Sequence, residues 1–159
     1  MSELTIKDVL NKAIEMEEAG KIFYEYAASI VEDKEIREVL SVLAREEVGH
    51  KHIFENMKEE VKEIKQSDDI NEYLKYLNSF LNTKSVFDRK KIESYNDKNT
   101  NITDIIDFAM DREQDTILYY MTLMTVVREE QNFLVQKIID EERKHFIKLN
   151  QAKKLIEKK

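Results

Sequence analysis

Two short motifs repeat in this chain. They are Glu47-Val48-Gly49-His50 and Glu142-Arg143-Lys144-His145. Each is a Glu-x-x-His, which on a helix sets a carboxylate and an imidazole one turn apart on the same face. Glu17 and Glu113 also interrupt runs of apolar positions, so six polar side chains are expected to point inward: Glu17, Glu47, His50, Glu113, Glu142 and His145. Burying a charge costs several kcal/mol unless it is compensated. Four ionised carboxylates with two neutral imidazoles carry a charge of −4, which two divalent ions balance. Protonation is the alternative, because clustered buried carboxylates hold protons tightly. Protons alone would not explain why a histidine accompanies only two of the four glutamates. Oxygen-rich ligation with one imidazole per ion suits iron or manganese, and zinc is able to bind.

Four long helices are expected to position these residues, at about 5–31, 34–60, 102–128 and 132–157. Their stripes step by threes and fours, the repeat of a helix facing a bundle core. In the first helix the stripe is Ile6, Leu10, Ala13, Glu17, Gly20, Tyr24, Ala27 and Val31, with Thr5 and Asp8 able to cap it. The second carries Ile36, Leu40, Leu43, Glu47, His50, Phe54 and Met57, behind Asp33 as its cap. The third runs Ile102, Ile106, Ala109, Glu113, Thr116, Tyr120, Leu123 and Val127, and the fourth Val135, Ile138, Glu142, His145, Leu149, Ala152 and Ile156. No Lys or Arg stands in any stripe. A shift of 96 sets Glu17 on Glu113 and Tyr24 on Tyr120, and a shift of 95 sets Glu46, Glu47 and His50 on Glu141, Glu142 and His145. The chain thus reads as two copies of one antiparallel hairpin, forming one domain over 1–159. A crossover at about 61–101 joins them and returns the chain to the end where the second helix began. Within it a short helix from Ser67-Asp68-Asp69 would carry Ile70, Tyr73, Leu74, Leu77, Phe80 and Leu81 on one face.

Composition agrees with an all-α bundle. Of 159 residues, 42% are hydrophobic and 37% charged, with no proline and only two glycines to interrupt helices. A net charge of −7 argues against nucleic acid and anionic membranes as partners. The longest uncharged run, Thr116 to Val127, is too short to span a bilayer and reads as a helix buried on most sides. No secretory signal is visible, so a cytoplasmic location is expected. Without cysteine the chain has no thiolate nucleophile and cannot build a four-cysteine metal site. His52 falls off its stripe and reads as surface. Met110, Met121 and Met124 read as core filler, and Gly20 and Thr116 as small residues at close helix contacts.

The set of one Glu from each of two helices and a Glu-x-x-His from each of the other two matches the known arrangement of di-iron and di-manganese carboxylate bundles. The sequence resembles the ferritin-like superfamily and within it the rubrerythrins. The resemblance rests on Glu17-x-x-Gly20-x-x-Phe23-Tyr24, Glu47-x-x-His50, Glu113 with Tyr120, and Glu142-x-x-His145. It implies a four-helix bundle holding two iron ions. Glu47 and Glu142 would bridge them, and Glu17 with His50 and Glu113 with His145 would complete each ion. Tyr24 and Tyr120, two turns from Glu17 and Glu113 on the same stripes, read equally as core aromatics or as donors to the ligand carboxylates. The resemblance also implies a peroxidase that reduces hydrogen peroxide. The four cysteines of a rubredoxin domain are absent, so electrons would come from a separate rubredoxin-like protein. Thr116 stands where many rubrerythrins have a further glutamate. Six ligands without it also resemble the ferroxidase site of bacterioferritins, which leaves oxidation of iron by O2, for iron handling or storage, as the alternative. Val48 and Gly49 offer no methionine for haem. By analogy with ferritin-like bundles, a homodimer is expected.

Overall fold

The computed structural model describes residues 5–62, 68–83, 94 and 101–159. Five helices make up the described elements: α1 (Ile6–Ile30), α2 (Lys34–Glu60), α3 (Asp68–Thr83), α4 (Ile102–Val126) and α5 (Glu129–Glu157). The local chemistry sets their ends. Thr5 and Asp8 form a reciprocal capping box at the start of α1. Asp33 accepts from the backbone N–H groups of Glu35 and Ile36 to start α2. Between them, the Arg37 guanidinium donates to the carbonyl of Val31 at 3.1 and 2.8 Å, satisfying an acceptor that the short connection leaves without a helical partner. Asn101 caps α4 through the N–H of Thr103.

The connection α1–α2 is too short for anything but an antiparallel hairpin, and α4–α5 repeats it. The hairpins pack α2 against α5 and α1 against α4. Residues 61–101 connect the end of α2 to the start of α4 at the opposite end of the bundle, and α3 within this span packs on α4 and α1. The result is the expected ferritin-like four-helix bundle with a long crossover. Two apolar clusters fill it. One holds Ala27, Val31, Ile36, Leu40, Ile106 and Leu149, and the other Leu10, Phe54, Met57, Leu123, Val135 and Ile138. The six polar stripe residues lie between them, so a charged layer divides the core.

Some expectations need correction. The last helix starts at Glu129, ahead of the expected 132, because Gln131 occupies the inward stripe position. Its amide donates to the carbonyl of Met57 near the end of α2, at 3.4 Å, so a polar residue continues a stripe that hydrophobicity alone ends at Val135. Helix α4 ends at Val126, short of 128, where the N–H of Val127 closes the last turn on Leu123. The run Thr116 to Val127 is buried on most sides, as expected, but one face is open: Leu118 and Met121 are 44% and 49% exposed, so Met121 is not core filler. Met110 and Met124 do pack against the core, and His52 is exposed. In α3, Leu74 and Leu77 are buried and Ile70 and Phe80 partly so, but Tyr73 faces outward. Ser67, the side chain of Leu81 and crossover residues 63–66, 84–93 and 95–100 lie outside the described residues.

Candidate metal centre

Each of the six inward residues is buried by the stripe that carries it, none more than 4% exposed. Because the hairpins are antiparallel, four helices bring their polar positions to one level. The ligand-capable atoms fall into two groups that share two members. Glu17, Glu47, His50 and Glu142 form one, and Glu47, Glu113, Glu142 and His145 the other, each with one donor atom per residue within 4.8 Å of the rest. Glu47 and Glu142 thus stand between the two histidines, whose rings stack 5.4 Å apart at 19°.

Both imidazoles turn Nδ1 inward. Nδ1 of His50 lies 2.8 Å from Glu142 Oε1 and 3.4 Å from Glu17 Oε2, and Nδ1 of His145 lies 2.9 Å from Glu142 Oε2 and 3.3 Å from Glu47 Oε1. Yet neither Nδ1 has a hydrogen-bond partner, nor does either oxygen of Glu142 or Oε2 of Glu17. Buried polar atoms are rarely left unmatched. Donor atoms that converge on one another without forming aligned hydrogen bonds fit metal ions, and the set of four carboxylates and two imidazoles fits two of them.

Electrostatics says the same. Burial, with the charge of Glu142 adding to it, raises the Glu113 carboxyl to about 8. Burial and the charges of Glu142 and Glu17 carry Glu47 well above the usual carboxylate range. Burial on its own would lower His50, but the carboxylates of Glu142 and Glu17 push it up to about 12, and those of Glu113, Glu142 and Glu47 raise His145 in the same way. Against the cost of burial, the two imidazoles hold Glu142 below the ordinary range. Without ions, the layer is neutralised by protons.

The surrounding residues orient this set. The hydroxyl of Tyr24 donates to Glu113 and that of Tyr120 to Glu17, each across the bundle, and burial keeps both phenols protonated. A tyrosine two turns along its own helix is about 10 Å from the glutamate, so the bond has to cross to the facing helix. Gly20 provides room, since a methyl group there would lie 3.3 Å from the Glu47 carboxyl carbon. Three further residues were not singled out by the stripes. Glu141 lies 2.7 Å from Nε2 of His50 and Glu46 lies 3.0 Å from Nε2 of His145. The contact of Glu141 is a hydrogen bond, in which a carboxylate accepts the Nε2 proton, whereas that of Glu46 is an ion-pair contact only. Lys148 in turn holds Glu46. Both glutamates sit one residue before a stripe position, and the shared Glu-Glu-x-x-His spelling is the signal that could have found them. The Nε2 edges line a cavity of about 430 Å³ between α2 and α5, with Gly49, Ile53, Lys137, Lys144 and Lys148 on its walls.

Known proteins carry the same frame. A Thermotoga maritima protein described as ferritin-like and diiron-carboxylate superposes with a TM-score of 0.73 at 24% identity, covering 97% of each chain. A Pyrococcus furiosus protein of undescribed function superposes with a TM-score of 0.67 at 20% identity, over 98% of this chain and 92% of the other. No curated protein sequence matches significantly. Among described residues, no helix is long and apolar enough to cross a membrane. The sequence matches the rubrerythrin family over residues 8–153, nearly the whole of the bundle, and the chain belongs to that family.

Proposed function

We propose that this protein holds two iron ions and reduces hydrogen peroxide with electrons from a separate, rubredoxin-like protein. The observation that carries the reading is the pair of buried four-residue groups sharing Glu47 and Glu142, with inward-facing atoms that have no hydrogen-bond partner. Glu17 and His50 would hold one ion, Glu113 and His145 the other, and Glu47 and Glu142 both. Two ferrous ions held there would supply the two electrons that, with two protons, take one peroxide to two waters. The residues around them serve that exchange. Tyr24 and Tyr120 fix the outer carboxylates, and the apolar clusters on either side keep bulk water from the layer. The cavity between α2 and α5 gives solvent, and a docked reductant, access to the histidine edges.

A second reading, oxidation of ferrous ion by O2 for iron handling, has one observation in its favour. Thr116 is buried one turn beyond Glu113, so no seventh carboxylate stands there. Stopped-flow absorbance separates the two. Protein loaded anaerobically with two ferrous ions per chain is mixed with peroxide or with O2. Much faster oxidation by peroxide is the expected result. Faster oxidation by O2, with iron accumulating beyond two per chain, would replace the peroxidase reading with the ferroxidase one. Failure to retain two metal ions would overturn both.

A further inference from the structure

The internal two-fold of the centre holds for the six inward residues but breaks just behind them. A shift of 95 sets Glu46 on Glu141, yet it sets Gly49 on Lys144 and Ile53 on Lys148. The cavity wall contributed by α5 is therefore cationic where that of α2 is not. Lys148 places its Nζ 3.1 and 2.8 Å from the two oxygens of Glu46. That carboxylate also faces Nε2 of His145 at 3.0 Å, but the contact is not aligned, and Nε2 of His145 has no hydrogen-bond partner. On the other half, Glu141 makes an aligned hydrogen bond to Nε2 of His50 at 2.7 Å. Among the described residues His50 is the one cationic partner within 4.0 Å of Glu141.

A carboxylate that accepts the outer N–H of a ligating histidine fixes the ring and strengthens the inner nitrogen as a donor. Glu141 does this for His50 undivided. Glu46 is shared with Lys148, whose charge offsets its own, and its contact with His145 is not an aligned hydrogen bond. We infer that Lys148 is a positioning residue that makes the two metal positions unequal. The Glu17–His50 position fills first and more tightly, and the Glu113–His145 position fills second. The inference rests on the metal-binding reading above, though not on which oxidant the centre uses.

Titration of the metal-free protein with Co(II), followed by its visible ligand-field absorption and by calorimetry, tests this without any turnover. Two resolved steps are expected, with constants at least tenfold apart. Lys148→Met frees Glu46 to align with His145, so the second constant should rise about tenfold and the steps merge, whereas Lys148→Arg keeps them apart. Glu141→Gln should weaken the first step by about 10–100-fold. Glu46→Gln should move neither step more than about threefold. Two equal steps that ignore Lys148→Met would overturn the inference and leave the metal centre standing, as would Glu46→Gln and Glu141→Gln having equal effects. Absence of any tight Co(II) binding would instead overturn the centre itself, and the inference with it. Lys148 has 35% of its side chain exposed, so its replacement should leave the fold intact, which a thermal melt of each metal-free variant checks.

Discussion

At Gly20 the requirements of helix stability and of the metal centre oppose each other. Alanine is favoured over glycine inside a helix by about 0.8–1.0 kcal/mol. Its methyl would stand 3.3 Å from the carboxyl carbon of Glu47, so that side chain must give way by a few tenths of an ångström. In the metal-free protein Glu47 has that freedom, and Gly20→Ala should leave stability unchanged or raise it by up to about 1 kcal/mol. In the proposed metal-bound form Glu47 would be held between two ions, so the same variant should lose much of the melting-temperature increase that metal gives the parent. Gly49 is the control, because a methyl there meets nothing within 4 Å and Gly49→Ala should help both forms alike. Melts of the three proteins with and without metal decide it, and an undiminished metal effect in Gly20→Ala refutes the claim. The stripe marks Gly20 as small without saying what it makes room for. That required knowing that α2 faces it with Glu47. Glu46 and Glu141 are visible in the repeat, but their role is hidden for a related reason: one residue off the stripe, a half-exposed acid looks like any solvated one, and only the facing helix gives it a partner.

Helix ends were legible wherever a side chain does the capping and obscure where one does not. Thr5, Asp33 and Asn101 each bond the first turn of their helices, and the expected starts at those points hold to within a residue. Arg128 precedes α5 with no side-chain cap, and there the expected start was late. Asp33 is the most informative of the caps to test, because it organises the α1–α2 turn and also pairs with Lys159 near the end of α5. Removing such a cap costs about 0.5–2 kcal/mol. Asp33→Ala should therefore lower unfolding stability by about 1 kcal/mol, while Asp33→Asn, which keeps an acceptor, should lose less. The exposed ion pair to Lys159 adds little. Urea unfolding of the two variants measures the difference, and equal losses would mean that the cap contributes nothing. Exposure was the other weak point at this scale. An uncharged run such as Thr116–Val127 shows that no charge is needed outward, and it does not show that the outward face is covered, as Leu118 and Met121 demonstrate.

The whole bundle is two apolar clusters held apart by a layer whose charge has to be neutralised, and the repeat of 95 to 96 residues made that architecture legible before any coordinates. The layer couples folding to pH in a direction that metal should reverse. Glu113 is raised from 4.5 to about 8, so between those values the folded protein keeps a proton that the unfolded chain has lost. His50 is raised from 6.5 to about 12, with the same consequence across its own window. A folded state that binds more protons loses stability as pH rises, by about 1.4 kcal/mol per pH unit for each extra proton held. From pH 5 to pH 9 the metal-free protein should therefore melt at steadily lower temperature, by about 2–4 °C for each kcal/mol lost in a chain of this size. Metal ions bound as proposed would compete with those same protons for Nδ1 and the carboxylate oxygens, so binding would release protons and tighten as pH rises. The melting temperature of protein held with a fixed excess of Mn(II) should rise or stay level over that window, and the two curves should diverge. Parallel curves would mean that protons and ions do not share the layer, and that the inward carboxylates are neutralised by something other than the pairing described here.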